Sequence, residues 1–300
     1  MSHMRYPRLR CFNSSGAQVS SDVLVMCFYM QHAHKHISPA VMRTLDILRE
    51  RLPPQSLDWY IDPEGQSHPL DDTVWEGIRK EMLGPDEVCY PRLAGGSRGT
   101  DAFYVDYRGL PLPLPWPGRE HDVSGLYLHL PTEYLEEQGP SQVSALALEL
   151  AQGLPFNSGY VDLGLIGAST RPDEGLGLVR TRYPGIHMTW TGPEISVGTQ
   201  VHGVHWMNFL GQPVLGKLGG VAGLRERLAL PGISIQEMSG DRAVITLGEQ
   251  PDAGDLEAGR TLPLHRALAR LLEPHLYSSK RPPGRMTPDE WRRWERRFLD

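Results

Sequence analysis

The stretch Asp22-Val-Leu-Val-Met-Cys-Phe-Tyr-Met-Gln31 is a nearly uninterrupted apolar run of residues that favour β-strands. Such a run predicts a central strand of a sheet. Behind it, Ser38-Pro39 offers an N-cap and a proline for the first turn of a helix. That helix is then marked by apolar residues at helical spacing: Val41, Met42, Leu45, Leu48 and Leu52. Pro53-Pro54 ends it. We therefore predict a central strand followed by an amphipathic helix.

Strand and helix patterns alternate along the rest of the chain. Strands are predicted at 57–61, 102–107, 125–130, 160–166, 202–208, 233–238 and 243–247. Helices are predicted at 72–83, 142–152, 174–181, 224–230 and 264–276, with a short one after Pro213 and a last one capped by Thr287. A hairpin around Ser239-Gly240-Asp241 places two strands next to each other. This order predicts an α+β fold with a mixed or antiparallel sheet flanked by helices, over a doubly wound fold.

A proline-rich stretch divides the chain. Residues 109–118 contain four prolines and a tryptophan, which requires an extended loop. It defines an N-terminal half (1–118) and a C-terminal half (119–277), followed by a basic C-terminal helix (278–300). A proline-stiffened crossover within one domain is the equal alternative. The shared strand–helix–strand order of the halves would fit two similar α/β halves packed together.

The charge is distributed unevenly along the 300 residues, whose formal net charge is −6. Residues 278–300 hold seven basic and four acidic residues, a net +3, which leaves −9 for the body. A body of that sign repels nucleic acid phosphates, whose binding requires neutralisation by Lys and Arg. It attracts a basic protein instead. No direct nucleic acid partner is therefore predicted.

Cysteine usage and hydropathy indicate the compartment. The three cysteines, Cys11, Cys27 and Cys89, form an odd number without a CxxC pair, as expected of reduced thiols. No apolar run reaches the ~18–20 residues that span a bilayer. The sequence start lacks an apolar signal-peptide core. We expect a cytoplasmic protein without a membrane partner.

The most enzyme-like pattern is His32-Ala-His34-Lys-His36, directly after the first strand. In an extended chain, residues two apart share a face, so three imidazoles could bind one metal. The run ends at the Ser38-Pro39 cap, which favours a turn, either solvated or facing a partner. His202-Gly-Val-His205 is expected to be part of a strand whose two histidines face opposite ways. No metal site is predicted from either pattern.

Patterns for other chemistry are missing from the sequence. Gly167-Ala-Ser169 lacks the second glycine of a nucleophile elbow. No glycine-rich stretch carries the lysine of a phosphate-binding loop. We expect no catalytic residues, no cofactor and no enzymatic activity.

Two acidic groups are the candidate binding residues. The first group lies in the N-terminal half and consists of Asp62, Glu64, Asp71 and Asp72. The second group surrounds an aromatic residue and consists of Glu133, Tyr134, Glu136 and Glu137. An acidic rim around exposed aromatic residues is suited to docking against a basic protein.

Ordered sequence blocks in the C-terminal half resemble a known family. They are Arg182-Tyr-Pro-Gly185, Trp190, Val204-His-Trp-Met-Asn-Phe-Leu-Gly211, Lys217-Leu-Gly-Gly220, Leu224-Arg-Glu-Arg-Leu228, Ile245-Thr-Leu-Gly248 through Asp255, and Leu262 through Pro274. Together they resemble the type VI secretion immunity family, long catalogued as a domain of unknown function. The resemblance implies an antitoxin encoded beside a secreted effector. Members of this family are associated with nuclease effectors, among other toxins.

The resulting hypothesis is an immunity protein that binds a basic, cytoplasm-acting nuclease effector and occludes its active site or blocks its assembly. Two alternatives stay open. One is a metal-dependent hydrolase that uses His32, His34 and His36. The other is an adaptor that carries an effector without inhibiting it. A homodimer through the C-terminal helix is also open.

Overall fold

The structure, a computed structural model, describes residues 6–12, 14–16, 18–96, 103–167, 174–189, 192–279 and 286–300. The predicted strand start at Ala102, Trp190 and the tail residues 280–285 lie outside them. The strands in these residues are β1 (Cys11–Phe12), β2 (Gln18–Met30), β3 (Trp59–Ile61), β4 (Ser67–Pro69), β5 (Arg92–Gly95), β6 (Phe103–Arg108), β7 (Ser124–Pro131), β8 (Ser158–Gly167), β9 (His187–Met188), β10 (Met207–Leu210), β11 (Ile233–Met238) and β12 (Arg242–Leu247).

One sheet contains all of these strands, in the order β11-β12-β10-β8-β2-β7-β6-β5-β3-β4, with β1 beside β2 and β9 beside β8. The predicted strand around 22–31 is β2, at the centre of the sheet, where it pairs with β7 and β8. The ladders are antiparallel except the one between β8 and β9. The predicted α+β class is confirmed.

The described helices are α1 (His34–Arg51), α2 (Asp72–Met82), α3 (Thr132–Gln138), α4 (Pro140–Gln152), α5 (Glu174–Thr181), α6 (Val214–Lys217), α7 (Gly220–Arg227), α8 (Pro263–Leu272) and α9 (Pro288–Glu295), with a 3₁₀ turn at Glu273–His275. Helices α1, α2 and α4 cover one face of the central strands. Leu24, Met26 and Phe28 of β2 point to that side and join the main hydrophobic cluster.

The opposite side of β2 has a different cover. Val23, Val25, Cys27 and Tyr29 lie in a separate cluster of strand and loop residues. We call this side, from β5 to β8, the loop face. Beyond β10, helices α7 and α8 cover the same side of the sheet through a further apolar cluster. Because side chains alternate along a strand, one apolar run in the sequence supplies both faces.

Helix α1 begins before the predicted cap, so the prediction that Ser38-Pro39 starts it is wrong. The helix starts at His34 and Pro39 lies inside it. The His34 backbone N–H donates to the Leu110 carbonyl oxygen at 2.8 Å. A first-turn N–H has no partner within its own helix, and here the proline-rich loop supplies one.

Further boundaries differ from the predictions. The strand expected at 202–208 begins at Met207, because Gly203 has a φ of +99° that takes the chain out of the extended conformation. Helix α8 ends at Leu272 and continues into the 3₁₀ turn Glu273–His275, because Pro274 has no N–H to extend the α-helical hydrogen bonds. Helix α7 covers 220–227 and not the expected 224–230.

The C-terminal segment folds back onto the body. Thr287 and Glu290 form the reciprocal capping box at the start of α9. Trp294 and Phe298 are 5% and 4% exposed and join two different hydrophobic clusters. Arg297 stacks on both rings and donates to the Pro184 carbonyl oxygen at 2.7 Å. The apolar stripe of this helix is therefore used within the chain.

Strands from both predicted halves belong to the same sheet, and β7 of the C-terminal half lies between β2 and β6 of the N-terminal half. The division at residues 118 and 119 stays a prediction. None of the described helices is long and apolar enough to cross a membrane.

Candidate functional site

Polar and aromatic side chains form a row across the loop face. The register of the ladders aligns Arg92, Asp106, Tyr127, Cys27, Tyr160 and Asn208 on neighbouring strands from β5 to β10. The opposite face of β2 is apolar at Leu24, Met26 and Phe28, which lie in the main hydrophobic cluster, as is usual for buried side chains. This row makes the loop face the candidate functional site.

The tyrosines of the row are buried under loop residues. Burial raises the pKa of Tyr29, Tyr127 and Tyr160 well above the ordinary value. The Thr189 side chain hydrogen-bonds to Tyr127 and Tyr160 and so ties the loop to the sheet. The three phenols are therefore neutral hydrogen-bonding groups that hold the loops in place.

A groove opens at the β5–β6 end of the loop face. Its volume is about 550 Å³. The lining is rich in arginine and tyrosine: Pro63, Tyr90, Arg92, Tyr104, Asp106, Arg108, Leu110, Arg119 and Ile195. Tyr90 is 43% exposed. Arginine and tyrosine beside an open groove are the residue types that dominate protein interfaces.

The charged groups of the groove are held by partners within the chain. Arg108 donates to Asp106 at 3.3 Å, Arg119 pairs with Asp122, and Arg92 donates to the Asp62 carbonyl oxygen. Burial raises the pKa of Asp106, and the Arg108 guanidinium opposes this effect. Gly192 has a φ of +120°, which L-residues rarely adopt, and a Cβ there would come within 2.6 Å of the Arg108–Asp106 pair, so glycine is favoured at this position. The groove is thus preorganised.

Three histidines converge at the other end of the loop face. His187 lies in β9, and His202 and His205 lie in the loop before β10. The His205 ring stacks on Tyr160 with ring centroids 4.0 Å apart, and His187 contacts both other imidazoles edge to face. A cavity of about 250 Å³ reaches His187 and His202 from outside. The expectation that His202 and His205 face opposite ways is wrong, because the turn at Gly203 brings both to the same side.

Burial keeps these histidines neutral. Burial lowers the pKa of His202 and of His205 to about 3, and it also lowers that of His187. The Asp162 carboxyl lies beside them, with one oxygen 3.4 Å from His205 Nδ1. Burial raises the pKa of Asp162 to about 7.

The first predicted acidic group lies around the β3–β4 hairpin, beside the groove. The Asp62 carboxylate accepts from the Gln66 backbone N–H and contacts His68, whose ring holds the pKa of that carboxyl below its ordinary value. Glu64 is exposed in the hairpin turn. Asp71 caps α2 through the Val74 N–H, and Asp72 pairs with Arg49. These carboxylates surround one edge of the sheet, as a binding role would require.

The second predicted acidic group is largely neutralised by the N-terminal segment. Arg8 pairs with Glu136, and Arg10 pairs with Glu133. Glu137 is exposed. Tyr134 is 8% exposed and packs edge to face on Phe103, so the expected exposed aromatic residue is wrong at this position. The effector-binding role of both groups stays a prediction.

The His32, His34 and His36 side chains do not form a ligand set. Because α1 starts at His34, residues two apart point to different sides. His34 is buried, with Nδ1 3.0 Å from the Tyr107 hydroxyl, whereas His32 and His36 are exposed. In the described parts of the chain, the histidine group with ligand atoms within 4.8 Å of one another is His187, His202 and His205.

Comparison with known proteins identifies the family. The family model TsiV, described as type VI immunity for VRR-NUC, matches residues 40–298. The chain belongs to the TsiV family. It is therefore a type VI immunity protein, and both the predicted resemblance and the predicted role are confirmed. A T6SS protein of Pseudomonas aeruginosa, PA0821, has a similar fold, with a TM-score of 0.79, 19% identity, and coverage of 97% of this chain and 87% of that chain. No curated protein matches.

Proposed function

We propose that this TsiV-family chain neutralises a cognate VRR-NUC nuclease effector by binding it, and that it catalyses no reaction itself. The match of residues 40–298 to the family of immunity proteins for VRR-NUC carries the proposal. The internal pairing of the charged groups in the groove supports recognition. Such pairs fix side chains in one orientation before the partner arrives, which lowers the entropy cost of binding.

The proposed effector-binding surface is the arginine-rich groove together with its acidic rim. The rim consists of Asp62, Glu64, Asp71 and Asp72. Asp62 is connected to the groove because its carbonyl oxygen accepts from Arg92, and Pro63 lines the groove. A nuclease needs basic surface for phosphates and carboxylates for its metal ions. The acidic rim complements the basic surface of a nuclease, and the arginines of the groove complement its carboxylates.

We further propose that neutralisation takes place in the cytoplasm, where a nuclease meets its nucleic acid substrate. The complex is expected to bury at least about 1,200 Å². Electrostatic attraction by the rim should make association fast at low salt and slower as salt rises.

Charge reversals test the surface. We expect Glu64→Lys to slow association with the effector encoded beside this chain, and Arg108→Glu to weaken the affinity by about tenfold or more, equivalent to about 1.4 kcal/mol. Glu226→Lys is the matched control, because Glu226 is exposed on α7, away from the groove. Surface plasmon resonance at two salt concentrations measures both rates. Unchanged rates in both groove variants would place the interface elsewhere.

Co-expression tests the function. The wild-type chain should restore growth to cells that produce the active effector and should abolish its nuclease activity in a purified mixture. The adaptor alternative predicts binding without loss of nuclease activity. If the effector remains active at saturating amounts of the chain, the proposal of neutralisation by binding is wrong.

A further inference from the structure

The three loop-face histidines have ring nitrogens without partners. His187 Nε2, His202 Nδ1 and His205 Nδ1 are buried atoms that make no hydrogen bond within the described residues. His187 and His205 are 6% and 1% exposed. Buried polar atoms nearly always have a partner, because leaving one unsatisfied costs about 1–3 kcal/mol. Each of the three rings also offers one nitrogen within 4.8 Å of a nitrogen of both others, so one partner between the rings could serve all three.

The tautomer of His205 follows from its other nitrogen. His205 Nε2 lies 2.9 Å from the His202 carbonyl oxygen. A carbonyl oxygen only accepts, so Nε2 carries the hydrogen of the neutral ring and Nδ1 presents a lone pair. That lone pair faces an Asp162 carboxylate oxygen at 3.4 Å. Two acceptors in contact repel each other unless a proton or a cation lies between them.

A proton on Asp162 would resolve that one contact and leave the other two nitrogens unsatisfied. A metal ion between the rings would satisfy the three imidazoles together and would lie near the carboxylate beside His205. An imidazole binds a metal through a nitrogen that carries no hydrogen, and His205 Nδ1 is such a nitrogen because its Nε2 donates to the His202 carbonyl oxygen. The cluster therefore fits a cation better than a proton.

We propose that His187, His202 and His205 form a binding site for one zinc ion, with the Asp162 carboxylate beside His205. Three imidazoles with a fourth position open to water or another oxygen ligand are a known zinc donor set. At Zn–N distances of about 2.0–2.1 Å, ligand atoms lie about 3.3 Å apart, so the side chains would close in slightly from their present separation. The proposal does not depend on effector binding.

The surroundings are those expected of ligands to a metal ion. The His202 carbonyl oxygen orients His205 from behind, and the backbone N–H groups of Leu163 and Trp206 hold the two Asp162 oxygens at 2.8 Å and 3.1 Å. Such outer contacts fix the tautomer and the direction of a ligand. The ion would connect β9 to the loop before β10, and it would thereby stabilise the cover of the loop face.

Zinc content and thermal stability test the site. The full chain, purified without a histidine tag and stripped with a chelator, should take up one zinc ion per chain by elemental analysis and show a higher Tm. His187→Gln and His205→Gln should lower zinc affinity by more than about 100-fold, since even loss of an outer contact costs about 10–100-fold. The double variant His32→Gln/His36→Gln changes exposed histidines and should bind zinc like the wild type.

The wild-type measurement keeps the proposal falsifiable if a variant fails to fold. Substoichiometric zinc in the stripped and reloaded wild type, with an unchanged Tm, would overturn it. Stoichiometric zinc that is lost only in the His32/His36 double variant would also overturn it, because the ion would then lie at the start of α1.

Discussion

Replacing Gly203 by alanine tests how the backbone brings His202 and His205 together. Gly203 has a φ of +99°, and a Cβ there would lie 3.3 Å from His205 Nε2. That nitrogen donates a hydrogen bond to the His202 carbonyl oxygen. A left-handed conformation costs an L-residue about 1–2 kcal/mol. The φ of Gly203 lies beyond the favoured left-handed region, so we expect Gly203→Ala to lower the free energy of unfolding by about 2 kcal/mol, the upper end of that range.

Gly77→Ala is the matched control. Gly77 lies in the middle of α2, is exposed, and a Cβ there would meet no atom within 4 Å. Alanine favours helix over glycine by about 0.5–1 kcal/mol. The same substitution should therefore destabilise the chain at Gly203 and stabilise it at Gly77, a separation of about 2 kcal/mol or more.

Urea unfolding of both variants, with a chelator present, measures the difference. At an m-value of about 2 kcal/mol/M, the two midpoints should differ by about 1 M, on opposite sides of the wild type. If Gly203→Ala is as stable as the wild type, the positive φ is not required. Our account of how the two histidines come to face the same side would then fail.

Two other substitutions probe the helix-covered face of the sheet and the C-terminal helix. Phe209→Ala should lower the free energy of unfolding by about 3–5 kcal/mol, because Phe209 is fully buried and its ring packs edge to face on Phe28 and Phe156. Phe209→Leu should lower it by less than half as much. Equal losses of stability in urea unfolding would contradict this packing. Thr287→Ala should lower the stability of α9 by about 1 kcal/mol because it removes the N-cap, whereas Thr287→Ser should keep the cap. Hydrogen exchange of the α9 amides measures the effect, and equal protection in the two variants would argue against the cap.

Local patterns predicted those parts of the fold that depend on neighbouring residues. The run at 22–31 became the central strand, the helix predicted at 72–83 formed at Asp72–Met82, and Thr287 capped the last helix. In each case the deciding groups lie within a few residues of each other. The start of α1 was missed because its first N–H is satisfied by Leu110, a residue far along the chain.

The candidate site depended on contacts between distant residues and was largely missed. Arg8 neutralises Glu136 across 128 positions, a pairing that sequence spacing does not reveal. His187 joins His202 and His205 through the pairing of β8 with β9. One local signal was present. The glycine within His202-Gly-Val-His205 was compatible with a turn as well as with a strand, and a turn would have placed both histidines on one side.

Burying polar groups on the loop face costs free energy, which indicates that this face has a role beyond holding the sheet together. Tyr127, Asp106 and Asp162 occupy central positions in the sheet where valine or leucine would pack without a desolvation penalty. Each of these side chains keeps a polar group out of water, and the nearby histidine nitrogens lack partners in the described residues. We propose that these groups are kept because each set has a binding role: the groove side chains bind the effector, and the histidines bind a metal ion. Exchange of the histidines should abolish zinc binding and leave effector binding unchanged, and exchange of the groove side chains should do the reverse.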